Sequence, residues 1–546
     1  MKNKTSLKWI IGNSRPVIPF LLISTIVSAL ASLCMVMLTY VGKQVVDIAT
    51  GSFSGAFWGK IGLLVLFVLL ELTLQVIFSR LSITISGKME IGIKNGIFSK
   101  ILKKDISSIY KYHSGDLLNR MTADVHIITG AFTNIVPAVV ALLTRLIGAF
   151  LMLFWLDATF ALIYLICGPI FLITTRIYSA KMKSLHKKCQ ESDGNIKSFI
   201  QEAIANILVI KAFKTEKPVS EEAEKLQLIN YNYKLKRNTI SIIANIFVFI
   251  AFTFGYYLAL CWGAYKLSKG MITVGTLTAM MQLVSQVQTP FKNLSGIIPQ
   301  YYQAIASAER ILEIENLKED VEGMDKESLS GIYSEAEKII FENVSFSYDE
   351  NNTVVNNFSY EINIGDFISV SGRSGIGKST ILKLLLGVIK PENGQIYLLL
   401  KDGNKIPVDE KTRGLFSYVP QGNMILSGTI GDNIRFFNNE LSDEDVIKAC
   451  KLARIDEFIN QLPDGLDTVI GEHGIGLSEG QVQRVAIARA LISEAPVILL
   501  DEATSALDEK TEKEFLEGLK TIQRKTCIIV SHKQATLDAC DKKIMF

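Results

Sequence analysis

The sequence predicts two parts in series: an α-helical membrane domain of six spans, then an α/β domain built around a phosphate loop. Three observations carry this. Long apolar runs with few charges fill the chain ahead of Tyr301. From Ile339 onward, short β-rich runs alternate with helical stretches, the pattern of an α/β domain. Within that second part stands Gly372-Arg373-Ser374-Gly375-Ile376-Gly377-Lys378-Ser379-Thr380, between a predicted strand Phe367–Ser371 and a predicted helix Ser379–Leu386. It fits G-x-x-x-x-G-K-[ST] in the strand–loop–helix setting which that pattern requires.

A chain of 546 residues exceeds one hydrophobic core. Its 49% hydrophobic content and mean hydropathy of +0.29 are high for a soluble protein. A net charge of +3 gives no reason to expect nucleic acid. The seven cysteines (34, 167, 189, 261, 450, 527, 540) show neither C-x-x-C nor metal spacing, which suits structural thiols in a reducing compartment. The first apolar run has no small-residue cleavage site and reads as a permanent anchor, not a signal peptide.

Val17–Tyr40 holds 24 residues without a charge, enough to cross ~30 Å of hydrocarbon at ~1.5 Å per residue. Further spans are expected at about 57–81, 131–156, 158–176, 239–265 and 271–298. Little more than Asp157 separates the third from the fourth, so these two form a tight hairpin. Twelve Lys/Arg fall in Lys181–Arg237 and seven in Ser86–Gly130, against Lys43, Lys60, Lys266 and Lys269 in the opposite connections. That asymmetry puts the N-terminus and the phosphate loop in the cytoplasm of a multi-pass cell membrane, a bacterial plasma membrane being the expected one.

The two basic connections are long and periodic. Met89, Ile93, Ile97 and Ile101, and Ile196, Ile200, Ile204 and Ile207, recur at helical spacing. They predict membrane helices that continue into the cytoplasm and end in short turns near Tyr110–Asp116 and Asn206–Lys214, placed to press on a nucleotide-binding domain. Within the sixth span, Thr278, Gln282, Ser285, Gln286, Thr289 and Asn293 share one helical face. Such a face bonds another helix or lines a substrate pathway. Glu71 and Arg145, lone charges near mid-membrane, are candidates for an ion pair between neighbouring spans or for the same pathway. Ser24, Ser28 and Ser32 read as a packing face.

The membrane domain is expected to cover 1–315, a polar linker 316–337 and the nucleotide domain 338–546. Backbone N–H groups of the glycine loop and the following helix N-terminus suit phosphate oxygens. Lys378 would reach the terminal phosphates of ATP and Ser379 would ligate Mg²⁺. Val497–Asp501 is a buried strand delivering Asp501 toward Mg²⁺ and Glu502 toward the attacking water.

With these residues in place, the chain resembles the ATP-binding cassette (ABC) half-transporters of exporter type, and the resemblance covers essentially its whole length. Leu477-Ser478-Glu479-Gly480-Gln481 is similar to the signature LSGGQ, and Ala306-Ser307-Ala308-Glu309-Arg310-Ile311 to the end of the last membrane helix. The resemblance implies that Tyr348 stacks on adenine and that Gln421 senses Mg²⁺. It implies that Asp508, in Ser505-Ala506-Leu507-Asp508, contacts a second chain and that His532 meets the γ-phosphate. Glu472 resembles the acidic residue of the exporter cross-contact loop. Two nucleotide domains would close head to tail, each ATP lying between one chain's phosphate loop and Ser478, Gly480 and Gln481 of the other.

The implied activity is ATP-driven export of an amphipathic small molecule, lipid or peptide by alternating access. Import of a chelate-like solute, or an ATP-gated channel or sensor, are the alternatives. A homodimer is expected, with a heterodimer containing a degenerate partner as the other arrangement, in contact with membrane lipid. Glu479 replaces a glycine of the signature and is expected to point away from phosphate. Val482 stands where Arg is common, and Ile376 is bulkier than usual. The family commonly continues beyond the position of Phe546 with a closing strand and helix.

Overall fold

The computed structural model describes residues 2–112, 114–349, 352–373, 375–422, 425–471, 476–522 and 524–545; the side chains of 2–3, 163–181, 183, 186–187, 244, 248, 251, 291–295, 298, 349 and 352 lie outside that description, and with them Cys167 and Asn293. Packing divides the chain into two compact units. One holds Met1–Phe98 with Gly115–Glu315, and the other Ser99–Ser114 with Asn316–Phe546.

The first unit is helical: α1 (Lys2–Asn13), α2 (Ile18–Ala49), α3 (Phe57–Leu102), then, past a short helix α4 (Ile106–Ile109) that belongs to the second unit, α5 (Ser114–Asn119), α6 (Val125–Leu156), α7 (Ala158–Ala205), α8 (Ile207–Phe213), α9 (Glu216–Ser268) and α10 (Val274–Glu315). Among the described residues, four segments are long and apolar enough to cross a membrane: Arg15–Ala49, Phe57–Leu102, Ser114–Leu156 and Glu216–Ser268. Of the other expected spans, 158–176 lies in α7, and 271–298 lies in α10 apart from its first three residues, which precede the helix. Asp157 alone separates α6 from α7. Its extended backbone stops one helix, and its carboxylate caps the next by accepting from the Phe160 N–H at 3.2 Å. The same carboxylate accepts from Trp262 Nε1 at 3.1 Å and pairs with Lys266 at 2.7 Å, fastening the hairpin to α9. Val36, Leu153, Phe160, Ala259, Met280 and Leu283 form a core contributed by five helices.

Helical periodicity carries α3 past the apolar run, with Met89, Ile93 and Ile97 buried. The matching stripe on α7 behaves otherwise, since Ile200 and Ile204 are exposed.

The second unit contains, besides α4, helix α11 (Lys326–Glu335), strands β1 (Ala336–Asp349), β2 (Asn352–Asn363) and β3 (Phe367–Ser371), and α12 (Lys378–Leu385). There follow β4 (Asn393–Leu400), β5 (Lys405–Pro407), β6 (Phe416–Val419), β7 (Gly428–Thr429), α13 (Ile430–Arg435), α14 (Asp443–Leu452), α15 (Asp456–Gln461), β8 (Val469–Ile470), α16 (Glu479–Ile492), β9 (Val497–Asp501), α17 (Glu509–Lys520), β10 (Thr526–Val530), α18 (Gln534–Ala539) and β11 (Lys542–Met545).

A parallel sheet in the order β11-β3-β10-β9-β6 is joined by an antiparallel sheet β2-β1-β4-β5. Because side chains alternate along a strand, Ile498 and Leu500 enter one core with α14, α16 and α17. Val497 and Leu499 enter another with α12 and the antiparallel sheet. Both faces are therefore apolar, which explains the continuous hydrophobic run of β9.

Residues 316–337 are more than a tether. Asp325 caps α11, and Leu329 and Tyr333 are buried. The Tyr333 hydroxyl lies 2.7 Å from the Thr526 hydroxyl and donates to a main-chain carbonyl. Tyr333→Phe keeps the ring and removes these bonds, a loss of about 1 kcal/mol. We expect the β10 amides to exchange roughly fivefold faster, read by hydrogen exchange on the full chain.

Candidate nucleotide site

Parallel pairing brings the site together. The register sets Val530 opposite both Val370 and Asp501, and Val419 opposite Leu500, so four strands end nearly level. Beyond those ends lie Gly372, Glu502, His532 and Gln421. A parallel sheet displays its ligands along this edge.

The phosphate loop turns from β3 into α12. Gly377 has φ +109°, and a Cβ there would sit 2.9 Å from the Val354 carbonyl oxygen, so only glycine fits where β2 crosses the loop. Lys378, buried, donates to the carbonyls of Gly372 at 2.9 Å and Arg373 at 3.1 Å. An anion in the loop would compete for this ammonium. Gly375, Ile376 and Arg373 are at least partly exposed, Thr380 is buried, and Ser374 lies outside the described residues. The Tyr348 ring is half exposed, packs edge-on against Phe346, and brings its hydroxyl to 3.4 Å from Thr380.

Asp501 is buried and accepts from Ser379 Oγ at 3.0 Å and the Tyr418 hydroxyl at 3.2 Å. Burial, and then the neighbouring Glu502 charge, push its carboxyl above the usual carboxylate range despite those bonds. Burial and the same aspartate push the Tyr418 phenol up. A hydroxyl and a carboxylate converging at the start of α12 fit a hard divalent cation, whose charge would relieve this burial. Glu502 follows with φ +52°, a conformation that costs a non-glycine residue about 1 kcal/mol or more. Its N–H donates to the Val530 carbonyl at 3.1 Å. Its carboxylate accepts from Gln421 Nε2 at 2.9 Å and lies 3.8 Å from His532 Nε2. The three residues assigned to catalysis are thus adjacent.

Ser478 caps α16, accepting from the Gln481 N–H at 3.4 Å while Gln481 Oε1 accepts from the Ser478 N–H at 2.7 Å. Gln481, assigned to ATP from the resemblance, spends its side chain on this cap. Ser478 and Glu479 are exposed, Val482 is buried, and Glu472 lies outside the described residues. A Cβ on Gly480 would meet the Ala506 carbonyl oxygen at 2.9 Å, so α16 and the 505–508 loop touch through backbone. Asp508 ends that loop by capping α17 through the Thr511 N–H at 3.0 Å.

Two residues escaped the sequence reading. Buried Gln483 donates to Ser505 Oγ at 2.7 Å and accepts from the Ala506 N–H at 2.9 Å. Lys533, directly after His532, donates to the carbonyls of Thr504 at 2.9 Å and Leu507 at 2.6 Å and pairs with buried Glu512 at 3.4 Å. Only a polar residue on the inward side of an apolar helix pattern hinted at the first.

In the membrane unit the polar stripe splits. Gln282 and Ser285 are exposed and Thr289 is partly so, bonding the Ser285 carbonyl of its own helix at 2.8 Å. Gln286 is buried instead, donating to Thr39 Oγ1 at 2.8 Å and the Met35 carbonyl at 3.3 Å on α2. It is interhelical glue, because α10 packs directly on α2. The expected Glu71–Arg145 ion pair does not form among the described residues. Glu71 accepts from Gln75 at 3.2 Å, and Arg145 Nε is buried without a hydrogen-bond partner. Glu71 is partly buried and its charge still acts on Arg145 and Cys34, so the two charges are near each other without a direct contact.

This fold and site define an ATPase fused to a membrane domain. Residues 21–291 match the family profile described as ABC transporter transmembrane region, and residues 355–505 that described as ABC transporter. The chain belongs to the ABC transporters, as a multi-pass membrane protein whose ATP hydrolysis is coupled to transport. An export ATP-binding/permease protein of Rickettsia conorii is 33% identical over 82% of this chain and 78% of its own length. The ATP-dependent lipid A-core flippase of Syntrophus aciditrophicus is 29% identical over 83% of this chain and 75% of its own. A solved bacterial Atm1-family ABC exporter with ATP bound has the same fold, with TM-score 0.79, 24% identity, and coverage of 97% of this chain and 93% of that one.

Two outcomes follow from the site. Asp501→Asn removes a buried charge, so without metal the variant should be more heat-stable at neutral pH. The folded carboxyl titrates above its unfolded value, so the wild type regains this stability as pH falls through the folded pKa. The melting difference should therefore shrink in acid, and a constant difference would contradict the assignment. Gly480→Ala should lower ATPase activity about tenfold or more by displacing the 505–508 loop, while nucleotide affinity at the phosphate loop holds, as read by steady-state kinetics and nucleotide titration.

Proposed function

We propose that the chain exports an amphipathic molecule, a lipid foremost, from the cytoplasm by ATP-driven alternating access, working as a dimer with six spans per chain. The observation that carries this reading is the set of groups beyond the parallel strand ends: Lys378, Ser379, Asp501, Glu502, Gln421 and His532. The names of the relatives, an export permease and a lipid flippase, support the transported class. Dimerisation is supported by the exposed start of α16 at Ser478 and by the tip of α8, where Leu208 is 80% and Phe213 75% exposed. An apolar tip on a basic cytoplasmic connection suits a second chain. A homodimer is the proposed state, since this chain has both Glu502 and His532.

ATP binds with its phosphates in the loop, where Lys378 leaves the Gly372 and Arg373 carbonyls for phosphate oxygens. Tyr348 receives the adenine. Ser379, Asp501 and Gln421 would hold Mg²⁺, which supplies positive charge to the phosphates. Ser478 and Gly480 of the second chain close the site, with the α16 N-terminus facing the γ-phosphate. Glu502 Oε2, oriented by the Gln421 amide, accepts hydrogen from the attacking water, and His532 fixes the γ-phosphate. Closure draws the cytoplasmic helices together, and hydrolysis resets them. Gln282 and Thr289 face the pathway, with Arg145 beside it.

The test is ATPase activity of the purified chain in lipid nanodiscs. Glu502→Gln should bind ATP like the wild type and lose turnover about 100-fold or more. Near-wild-type turnover would overturn the assignment.

A further inference from the structure

The segment that joins the two halves is fastened at both ends. The linker residues Leu317–Asp320 lie antiparallel to Lys103–Asp105, the residues just past α3. Asp105 N–H donates to the Lys318 carbonyl at 3.0 Å, and Asp320 N–H to the Lys103 carbonyl at 2.8 Å. Between these bonds the Lys104 ammonium, its side chain 2% exposed, donates to the Leu317 carbonyl at 2.8 Å and to Glu319 at 3.1 Å. An ammonium is buried at this cost only where its partners are fixed.

The other end reaches the nucleotide site. Asp320 accepts from Arg413 Nη1 at 2.6 Å, and Arg413 donates through Nε to the Leu386 carbonyl at 2.9 Å and through Nη2 to the Gly387 carbonyl at 3.2 Å. Those carbonyls end the helix that begins at Lys378. A guanidinium at that end also suits the helix dipole. A second tie runs from the Met324 N–H to the Lys411 carbonyl at 2.9 Å. By chain continuity α3 runs into one side of this clasp and α10, ending at Glu315, into the other.

We propose that this clasp transmits the state of the phosphate loop to the membrane helices, with Lys104, Asp320 and Arg413 as positioning residues for ATP-driven transport. A shift of α12 on ATP binding moves the Leu386 and Gly387 carbonyls, Arg413 follows them, and Asp320 and Lys104 carry the shift to the ends of α10 and α3 together. An eight-residue helix is stiff, so displacement at its start reaches its end. None of the three residues belongs to the nucleotide site described above.

The experiment is hydrogen exchange on the full chain in nanodiscs, in a Glu502→Gln background, with and without ATP. In the parent, ATP should slow exchange in the phosphate loop and alter it in residues 50–56, between α2 and α3. Asp320→Asn should keep the loop protection and reduce the response at 50–56 fivefold or more. Asp320→Glu should restore it, and Lys104→Met and Lys104→Arg should behave as the matching pair. An unchanged response at 50–56 in Asp320→Asn overturns the proposal, as does loss of loop protection, which would make Asp320 a support of the nucleotide site itself. A parent that shows loop protection but no distal response also overturns it. Absence of loop protection in the parent contradicts the ATP-site reading and the clasp together.

Discussion

The buried parallel pairing of β3, β10, β9 and β6 is the constraint on which the nucleotide half depends. Each strand is almost wholly buried on both faces, so none can slip register without moving hydrophobic side chains out of their packing and losing ladder bonds. Fixed register fixes where the strands end, and the phosphate loop, the two acids, Gln421 and His532 all sit at or just beyond an end; Tyr348 alone comes from the antiparallel sheet. Gly372, Glu502, Ser531 and Pro420 follow the terminal strand residues directly. Chemistry here is a boundary effect of hydrophobic burial.

That boundary stores electrostatic tension. Asp501 is drawn into the sheet by the apolar run it terminates, while Glu502 carries a second carboxylate beside it in a left-handed conformation. Two hydroxyls, from Ser379 and Tyr418, partly compensate the first, and an amide from Gln421 the second. Hydroxyl and amide dipoles satisfy a carboxylate's lone pairs but leave its charge in place. A site so arranged favours a cation together with its phosphates. The preference arises from the strand that positions the acids.

The sequence made the local chemistry legible and left the long-range packing dark. The phosphate loop, the strand ending in Asp501 and the spans could be read because each is encoded within a short window by glycine spacing, charge-free length or strand alternation. Asp157 was readable as the break between two helices for the same reason. By contrast, Gln286 was grouped with Gln282 from helical spacing, but a stripe about 100° wide can straddle the edge of a contact with a neighbour. Which side of that edge Gln286 falls on depends on where α2 lies. The Glu71–Arg145 ion pair failed at a finer scale, since depth in the membrane brings two charges near each other but does not say which rotamer each adopts, and Glu71 bonds Gln75 instead. Gln483, Lys533 and the linker clasp depend on partners more than twenty residues away, which a single sequence does not reveal.

The remaining exposed apolar surface sorts by the medium it meets. Along α3, Leu66, Leu69, Leu72 and Val76 are exposed within a segment long enough to cross a bilayer, and hydrocarbon satisfies them without any protein partner. Ile204, Leu208 and Phe213 are equally exposed at the α7–α8 turn, which the proposed orientation puts outside the bilayer, where a protein partner would cover them. The start of α16 is exposed for a third reason. Its first turn is capped by Ser478, and a helix N-terminus at the surface suits an anion. A chain that exposes lipid-facing, protein-facing and anion-facing surface in separate places has the properties of one half of an assembly. Under the proposed dimerisation, the energy of ATP binding is released when the second half arrives, the condition under which binding can be converted into movement.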